Sequence, residues 1–549
     1  MKTKNRILAA LLLPALLCTG LAGCSPAETD TADGTETVSA EVPEQEAVME
    51  PITTWMTNGI DKVTEEQTIS ENPAYTMDIW LAKNDAEGCQ VSFRAPKRYG
   101  SIAFTCTKQP DNAPMLDMFK VHTLPAGGKH YPDPFSPFSG KLTLLAETTA
   151  SVYLRFTADP EINAGDYTYE FAMDVGGTVQ QTYTVNVHVW DFALPEALSC
   201  ATAVGLYKHY IACMHPGVSG EELDQLYVNY YNTLLEYKVS AYDLPYDILD
   251  DRADAYMSDP RVTSFRVPTC DDDDARLVQI YEKLCSNPVW LDKAYFYPLD
   301  EPTSKEMLDQ LAGLCERLQR LAPEVYICTP FFLNVDYDGD TDQISFMTGK
   351  TTLWCPKSYM YITSNIYTAA QMQKYPLFGE RMAERKAAGD KVWWYVCWEP
   401  GDPYNNLFVE QRGIQNRMLF WQQYANDVDG FLYWGANYWD PTNGTTDPWN
   451  DMATVKHLSE TVYGDGSLLY NGTPVNIKGA CASFRLAQIR DGIEDFEMFR
   501  MAEELLGREW VDEMIARVTP SLTRYSNDTE NFLSVRKAVG DAIAEKLSK

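Results

Sequence analysis

The chain has 549 residues, 45% hydrophobic and 12% aromatic, which excludes a globally disordered protein and calls for two or more domains. A formal net charge of −33 excludes nucleic acid as an electrostatic partner and otherwise says only that the surface is acidic and well solvated.

Residues 1–23 begin with Lys2, Lys4 and Arg6, run apolar over 7–17 and end in Leu21-Ala22-Gly23 before Cys24. This is the pattern of an export signal closed by a lipobox. Cleavage is expected before Cys24, with lipid on its sulfur and new N-terminus, so that the mature chain is extracytoplasmic and tethered to a membrane at the cell surface. No later stretch approaches the roughly 20 apolar residues needed to cross a bilayer. Residues 24–50 carry eight acidic side chains and no basic ones, the composition of a flexible spacer.

Over residues 51–195 apolar and polar side chains alternate in short runs, such as Gln90-Val91-Ser92-Phe93-Arg94 and Ser151-Val152-Tyr153-Leu154-Arg155-Phe156, separated by Gly and Pro turns. Half-buried strands at this spacing predict a β-sandwich. From 196 to 462 apolar strands alternate with amphipathic helices. Eight strands are expected, near 202–207, 240–244, 264–268, 294–299, 325–332, 352–355, 392–397 and 430–437. With no G-x-G-x-x-G or P-loop motif, that number favours a (β/α)8 TIM-like barrel over an open doubly wound sheet. Leu223, Leu226, Tyr227, Tyr230, Leu234 and Tyr237 recur at helical spacing. Thr303 with Glu306 reads as a capping box, followed by a stripe of Met307, Leu311, Leu314, Leu318 and Leu321. Residues 463–549 contain a hairpin-like piece at 464–472 and then helices, read as completion of the barrel plus a helical extension, or as a small third module.

Beyond Cys24, eleven cysteines are scattered singly from Cys89 to Cys481 without C-x-x-C pairs, and the six histidines lack ligand spacing. Neither a disulfide framework nor a metal site is expected, no cofactor is implied, and nothing in the sequence sets an oligomeric state.

The expected fourth strand runs directly into Asp300-Glu301-Pro302. In a barrel this places two carboxylates at the C-terminal rim, where active sites of the fold lie. Adjacent strand residues point to opposite faces, so both can serve one pocket only if the backbone leaves strand geometry there. The alternative is a helix-capping Asp beside a surface Glu. Eight of the thirteen tryptophans fall between Trp354 and Trp449. Flat aromatic faces stack on sugar C–H faces, and a rim of them with a few polar groups makes a carbohydrate site. The expected substrate-binding residues are Tyr297, Trp354, Trp394, Tyr395, Trp398, Glu399, Tyr433, Trp434, Asn437 and Trp439. Trp393, Trp421 and Trp510 are assigned to core packing.

Taken together, Leu81-Ala82-Lys83-Asn84-Asp85-Ala86-Glu87-Gly88-Cys89-Gln90, Tyr131-Pro132-Asp133-Pro134, Trp190-Asp191-Phe192-Ala193-Leu194-Pro195, Tyr297-Pro298-Leu299-Asp300-Glu301-Pro302, Leu353-Trp354-Cys355-Pro356, Trp393-Trp394-Tyr395-Val396-Cys397, Gly430-Phe431-Leu432-Tyr433-Trp434-Gly435 and Arg490-Asp491-Gly492-Ile493-Glu494-Asp495 are, in order and spacing, similar to glycoside hydrolase family 123 and the wider group sharing its catalytic domain, domain of unknown function 4091. The resemblance implies a sandwich followed by a barrel and β-N-acetylgalactosaminidase activity on glycans, in which the substrate's 2-acetamido group is the nucleophile. By that resemblance Glu301 is the general acid and base, and Asp300 holds and polarises the acetamido group. Two alternatives stay open. Glu399, after the seventh strand, can pair with Glu301 as a conventional retaining couple; or the chain can be a non-catalytic glycan-binding lipoprotein. Asp402 and Asp440 are further rim carboxylates.

Overall fold

In the computed structural model of the chain, residues 51–69, 71–439, 447–453 and 461–549 are described; the expected export signal, Cys24, the acidic spacer and Asp440 lie outside the described residues. The alternating segments fold as ten strands in two five-stranded sheets. One sheet orders Thr53–Asn58, Asp85–Arg94, Thr149–Ala158, Met115–Ala126 and Lys129–Pro137; the other orders Thr76–Lys83, Thr178–Ala193, Gly165–Val175, Tyr99–Lys108 and Lys141–Leu144. Neighbours are antiparallel except Thr76–Lys83 and Thr178–Ala193, which run parallel. Val91, Phe93, Phe104, Leu154, Phe156 and Phe171 interdigitate between the sheets, as period-two patterning dictates.

The second half forms a parallel sheet of seven strands in the order Ala201–Val204, Gly430–Tyr433, Lys391–Val396, Leu353–Pro356, Tyr326–Phe331, Ala294–Phe296 and Phe265–Arg266. The expected second strand, 240–244, contracts to a single parallel bridge between Val204 and Ala241. Around it, the Val204 amide donates to Ser240 O (2.9 Å), the Tyr242 amide to Val204 O (2.8 Å) and the Arg266 amide to Tyr242 O (2.6 Å), which nearly closes the barrel with an eighth stave. Pro245 and Pro268 bring no amide to the ladder, which keeps the second and third positions short.

Strand pleat sorts the side chains. Ala203, Tyr242, Tyr295, Cys328, Leu353, Cys355, Trp393, Tyr395 and Leu432 fill the barrel interior. Their neighbours Phe296, Ile327, Trp354, Trp394, Phe431 and Tyr433 point outward into the helix layer. The helix after the fourth strand spans Lys305–Leu321 and is capped one residue later than expected: Ser304 Oγ accepts from the Met307 amide (3.3 Å). Its buried stripe is Leu308, Leu311, Ala312, Cys315 and Leu318, rotated from the expected one. Thr303 donates to Met307 Sδ through both its amide and its hydroxyl (3.5 Å), which holds Met307 at the helix start and off the core.

The hairpin expected at 464–472 lies further on, with Tyr470–Asn471 paired to Ala480–Cys481. Helix Phe484–Leu506 packs on Gly413–Ala425, in the barrel's outer layer. Helix Thr529–Leu547 packs both on Phe484–Leu506 and against the sandwich, where a Cβ on Gly540 would come within 2.4 Å of the Trp190 ring. Residues 463–549 therefore serve both parts of the fold.

Candidate active site

Strand geometry ends at Phe296, and Glu301 adopts φ +40°, a left-handed conformation that a side chain occupies at a cost of about 1–3 kcal/mol. This departure lets adjacent carboxylates serve one rim while taking different partners. Asp300 Oδ1 accepts from the Tyr297 hydroxyl at 2.7 Å, and Glu301 Oε1 accepts from the Tyr395 hydroxyl across the barrel mouth. Burial first, with the neighbouring carboxylate adding to it, holds both phenols well above their usual range, so each remains a neutral donor.

Lys357, directly after the sixth strand, brings the cation of the site. Its side chain is only 3% exposed, and Nζ stands 3.9 Å from Glu301 Oε1 and 3.6 Å from Glu399 Oε2. The rings of Phe332, Tyr395 and Trp398 surround that ammonium at 4.9, 5.5 and 5.6 Å. Sequence reasoning missed Lys357, although the strand-end rule that singled out Asp300 applies equally to a residue following Pro356.

A cavity of about 870 Å³ is lined among others by Tyr207, His209, Asp243, Tyr246 and Arg266; neither Asp300 nor Glu301 is in its lining. Arg266 donates to both oxygens of Asp243, at 2.9 and 2.7 Å. Tyr207 links the cavity to the carboxylate pair: burial pushes its phenol up to about 12, and Asp243 and Asp300 both act on it. From Tyr207 an aromatic chain continues through Tyr210 and Tyr438 to Trp434, with ring centroids 5.5, 5.5 and 4.7 Å apart.

Several expected substrate contacts are corrected. Trp354, Trp394 and Trp439 are fully buried behind the rim. Trp354 Nε1 donates to Asp390 (2.8 Å), Trp394 Nε1 donates to Gln423 (3.2 Å), and Trp439 packs edge-on to Tyr230. Parity is the reason on the seventh strand: Trp393, Tyr395 and Cys397 point inward, so Trp394 must point out. Tyr433 is likewise turned away and donates to Asp465 (3.0 Å), while Asn437 brackets the Tyr207 backbone, accepting from its N–H and donating to its carbonyl at 2.9 Å each. Trp398, 40% exposed, and the half-buried Trp434 remain at the mouth with Tyr297, Tyr395 and Glu399.

Trp434 is held from behind. Its Nε1 donates to Asp465 (3.0 Å), a carboxyl that burial pushes up to about 6. Gly466, at φ +75°, lets the ring seat where a Cβ would stand 2.4 Å from Cζ2. Arg485 clamps this loop through Gly464 O (2.6 Å) and Ser467 O and pairs with Asp133 of the sandwich (2.7 Å). The aromatic wall is thus braced by the other domain.

The model of the glycoside hydrolase 123 catalytic domain matches residues 275–502. Among solved structures, a family 123 glycoside hydrolase from Clostridium perfringens, described in a study of glycolipid glycan hydrolysis, superposes with a TM-score of 0.65 at 12% identity, covering 90% of this chain and 98% of that one. A Bacteroides cellulosilyticus family 39 glycoside hydrolase (TM-score 0.28, 10% identity, 77% and 82% covered) and a Bacteroides ovatus GH5 xyloglucanase (0.27, 9%, 76% and 98%) also align. No curated protein matches by sequence.

Proposed function

We propose that this chain is a glycosidase of glycoside hydrolase family 123, whose catalytic-domain model matches residues 275–502, and that it cleaves terminal β-linked N-acetylhexosaminides, N-acetylgalactosaminides foremost, with help from the substrate's own acetamido group. The observation that carries this reading is the division of the Asp300-Glu301 pair between two tyrosines, Tyr297 and Tyr395, with Lys357 beside Glu301. Glu301 protonates the glycosidic oxygen as the bond from C1 to that oxygen breaks. The acetamido carbonyl oxygen bonds to C1 from the opposite face, while Asp300 accepts its N–H and stabilises the positive charge of the oxazolinium ring. Glu301 then takes a proton from water, which attacks C1, reopens the ring and restores the configuration. The cavity lined by Tyr207, Asp243 and Arg266 and the aromatic chain from Tyr207 to Trp434 supply room and stacking faces for the glycan. The relative's action on glycolipid glycans recommends these among the natural substrates to assay.

The test is a panel of aryl N-acetyl-β-galactosaminide, N-acetyl-β-glucosaminide and plain β-galactoside with wild type and Glu301→Gln. Turnover confined to acetamido sugars, lost in the variant and blocked by a thiazoline mimic of the oxazolinium ring, is expected. Turnover of plain galactoside would overturn substrate assistance. Anchoring at the cell surface through Cys24 belongs to the same proposal: labelled palmitate should enter the wild-type chain, and Cys24→Ala should abolish the label.

A further inference from the structure

A buried ammonium normally has its N–H donors matched, because water no longer does so. Lys357 does not. Glu301 Oε1 and Glu399 Oε2 stand 3.9 and 3.6 Å from its Nζ, outside hydrogen-bond reach, and no other acceptor among the described residues takes a hydrogen bond from it. The rings of Phe332, Tyr395 and Trp398 balance its charge but are poor substitutes for a lone pair. Donors held this way at a barrel mouth, against a carboxylate that is itself partly open, are placed for a guest. A hydroxyl group fits the gap, since at about 2.8 Å from each atom it accepts from Lys357 and donates to Glu399 at once. Trp398, next to Glu399 in the chain and 40% exposed, offers a flat face beside that contact. A polar contact of this kind next to an apolar face suits a sugar ring.

The chemistry says which sugar. Asp300 is tied to Tyr297, whose ring packs edge-on to Tyr242 of the second stave, whereas Glu301 is tied to Tyr395 of the seventh. With the acetamido group at Asp300 and the glycosidic oxygen at Glu301, the line from C2 through C1 to that oxygen runs from the early staves toward the sixth and seventh. The departing group then lies over Lys357, Trp398 and Glu399. Since the ammonium is 3.9 Å from Glu301 Oε1, the hydroxyl it meets is one on a carbon next to the linkage. Asp300, Glu301 and Glu399 outnumber the single lysine, so a sulfated or sialylated leaving group is repelled and an uncharged one favoured.

We propose that Lys357, Glu399 and Trp398 form the leaving-group subsite, which takes an uncharged hexose and reads one hydroxyl next to the linkage. This rests on Glu301 acting as the acid at the glycosidic oxygen, and it gives Glu399 a role distinct from that of a nucleophile.

The test uses disaccharides of N-acetylgalactosamine β-linked to methyl galactoside, each lacking one galactose hydroxyl. In the wild type, loss of one hydroxyl next to the linkage should lower kcat/KM about 10–100-fold, the worth of a hydrogen bond to charged partners. In Glu399→Ala that penalty should shrink at least about fivefold, and Lys357→Met should shrink it from the donor side. A penalty equal in wild type and Glu399→Ala, or one that falls only on hydroxyls of the terminal sugar, overturns the subsite. Faster turnover when that hydroxyl carries a sulfate also overturns it, because Lys357 would then be taking an anion. So does a covalent glycosyl ester on Glu399 found by mass spectrometry. Binding separates these results from failure of the acid assignment. Calorimetric titration of Glu301→Gln needs no turnover: the parent disaccharide should bind about tenfold or more tightly than the deoxy sugar, and adding Glu399→Ala should erase the difference. Hydroxyl-dependent binding in a Glu301→Gln variant that still turns over removes Glu301 as the acid and leaves the sugar contact standing. Loss of turnover in Glu301→Gln with no hydroxyl dependence does the reverse.

Discussion

Two clusters of charge in this chain are built in opposite ways. Where the sandwich meets the barrel helices, Arg417 donates to both oxygens of Asp495 (2.7 and 2.9 Å) and to both of Glu87 (3.2 and 3.0 Å), while Arg536 joins Asp495 (2.6 Å) to Asp85 (2.8 Å). Arg490 pairs with Asp491, and Lys238 reaches Glu494 at 2.8 Å, all of it away from water except part of Lys238. At the barrel rim, Asp300, Glu301 and Glu399 have two tyrosine hydroxyls and one lysine among them, and the Glu301 and Glu399 side chains remain 33% and 41% exposed. A charge survives burial when its lone pairs and protons are matched, and the domain junction matches those of Asp85, Glu87 and Asp495 through Arg417 and Arg536, while Asp491 Oδ2 and both Glu494 oxygens are left without a hydrogen-bond donor among the described residues. The rim leaves carboxylate oxygens open, and open oxygens are what a substrate can use.

Breaking each cluster should therefore fail differently. Glu301→Gln is expected to lower turnover of unactivated acetamido glycosides by about 10²–10⁴-fold while changing stability by no more than about 1 kcal/mol, read from steady-state rates and urea unfolding of the same preparation. Arg417→Met inverts the pattern. Stranding Asp495 and Glu87 should cost about 3–5 kcal/mol in the unfolding free energy, with kcat per folded molecule unchanged. If Arg417→Met instead removes activity from well-folded protein, the division of labour is wrong.

The junction also has a pH signature. Burial pushes Glu494 up to about 8 and, with the same sign, Asp491 up to about 6. A carboxyl that holds its proton more tightly in the folded chain than at its ordinary value of 4.5 contributes stability that is complete below about 4.5 and lost as pH rises through about 8. Urea midpoints should fall between pH 6 and pH 9 in the wild type and fall less in Glu494→Gln; parallel curves would remove Glu494 from the account. The smallest effect belongs to the rim. Trp398→Ala should raise KM by roughly 3–10-fold with little change in Tm, since one exposed stacking face is worth about 0.5–1.5 kcal/mol. Trp354→Ala should leave KM alone and destabilise by about 3–5 kcal/mol, because its ring fills the helix layer.

The same contrast explains what could be read in advance. The junction carries two of the motifs that suggested the family, 81–90 and 490–495, and these meet through Arg417 and Arg536 although some 400 positions separate them. As a string they read only as acidic and basic residues of no stated purpose. At the rim, Asp300-Glu301 was legible because a strand ends there and a capped helix follows at once. The tryptophans were misassigned where counting residues from a strand end ignored pleat parity: Trp393 and Trp394 are equally aromatic, and the β-pleat alone decides that neither Trp394 nor Trp354 meets the cleft.

Length, the two periodicities and the position of one carboxylate pair at a strand end were enough to expect a sandwich followed by a barrel and to propose its rim as the place of the chemistry, because these depend on patterns local in the chain. Tertiary structure alone decided that the second stave is a single bridge, that Asp133 braces Trp434 through Arg485, and that Lys357 stands between Glu301 and Glu399. Each of those depends on distances between residues far apart in sequence, set when barrel closure and the buried charge network bring them together.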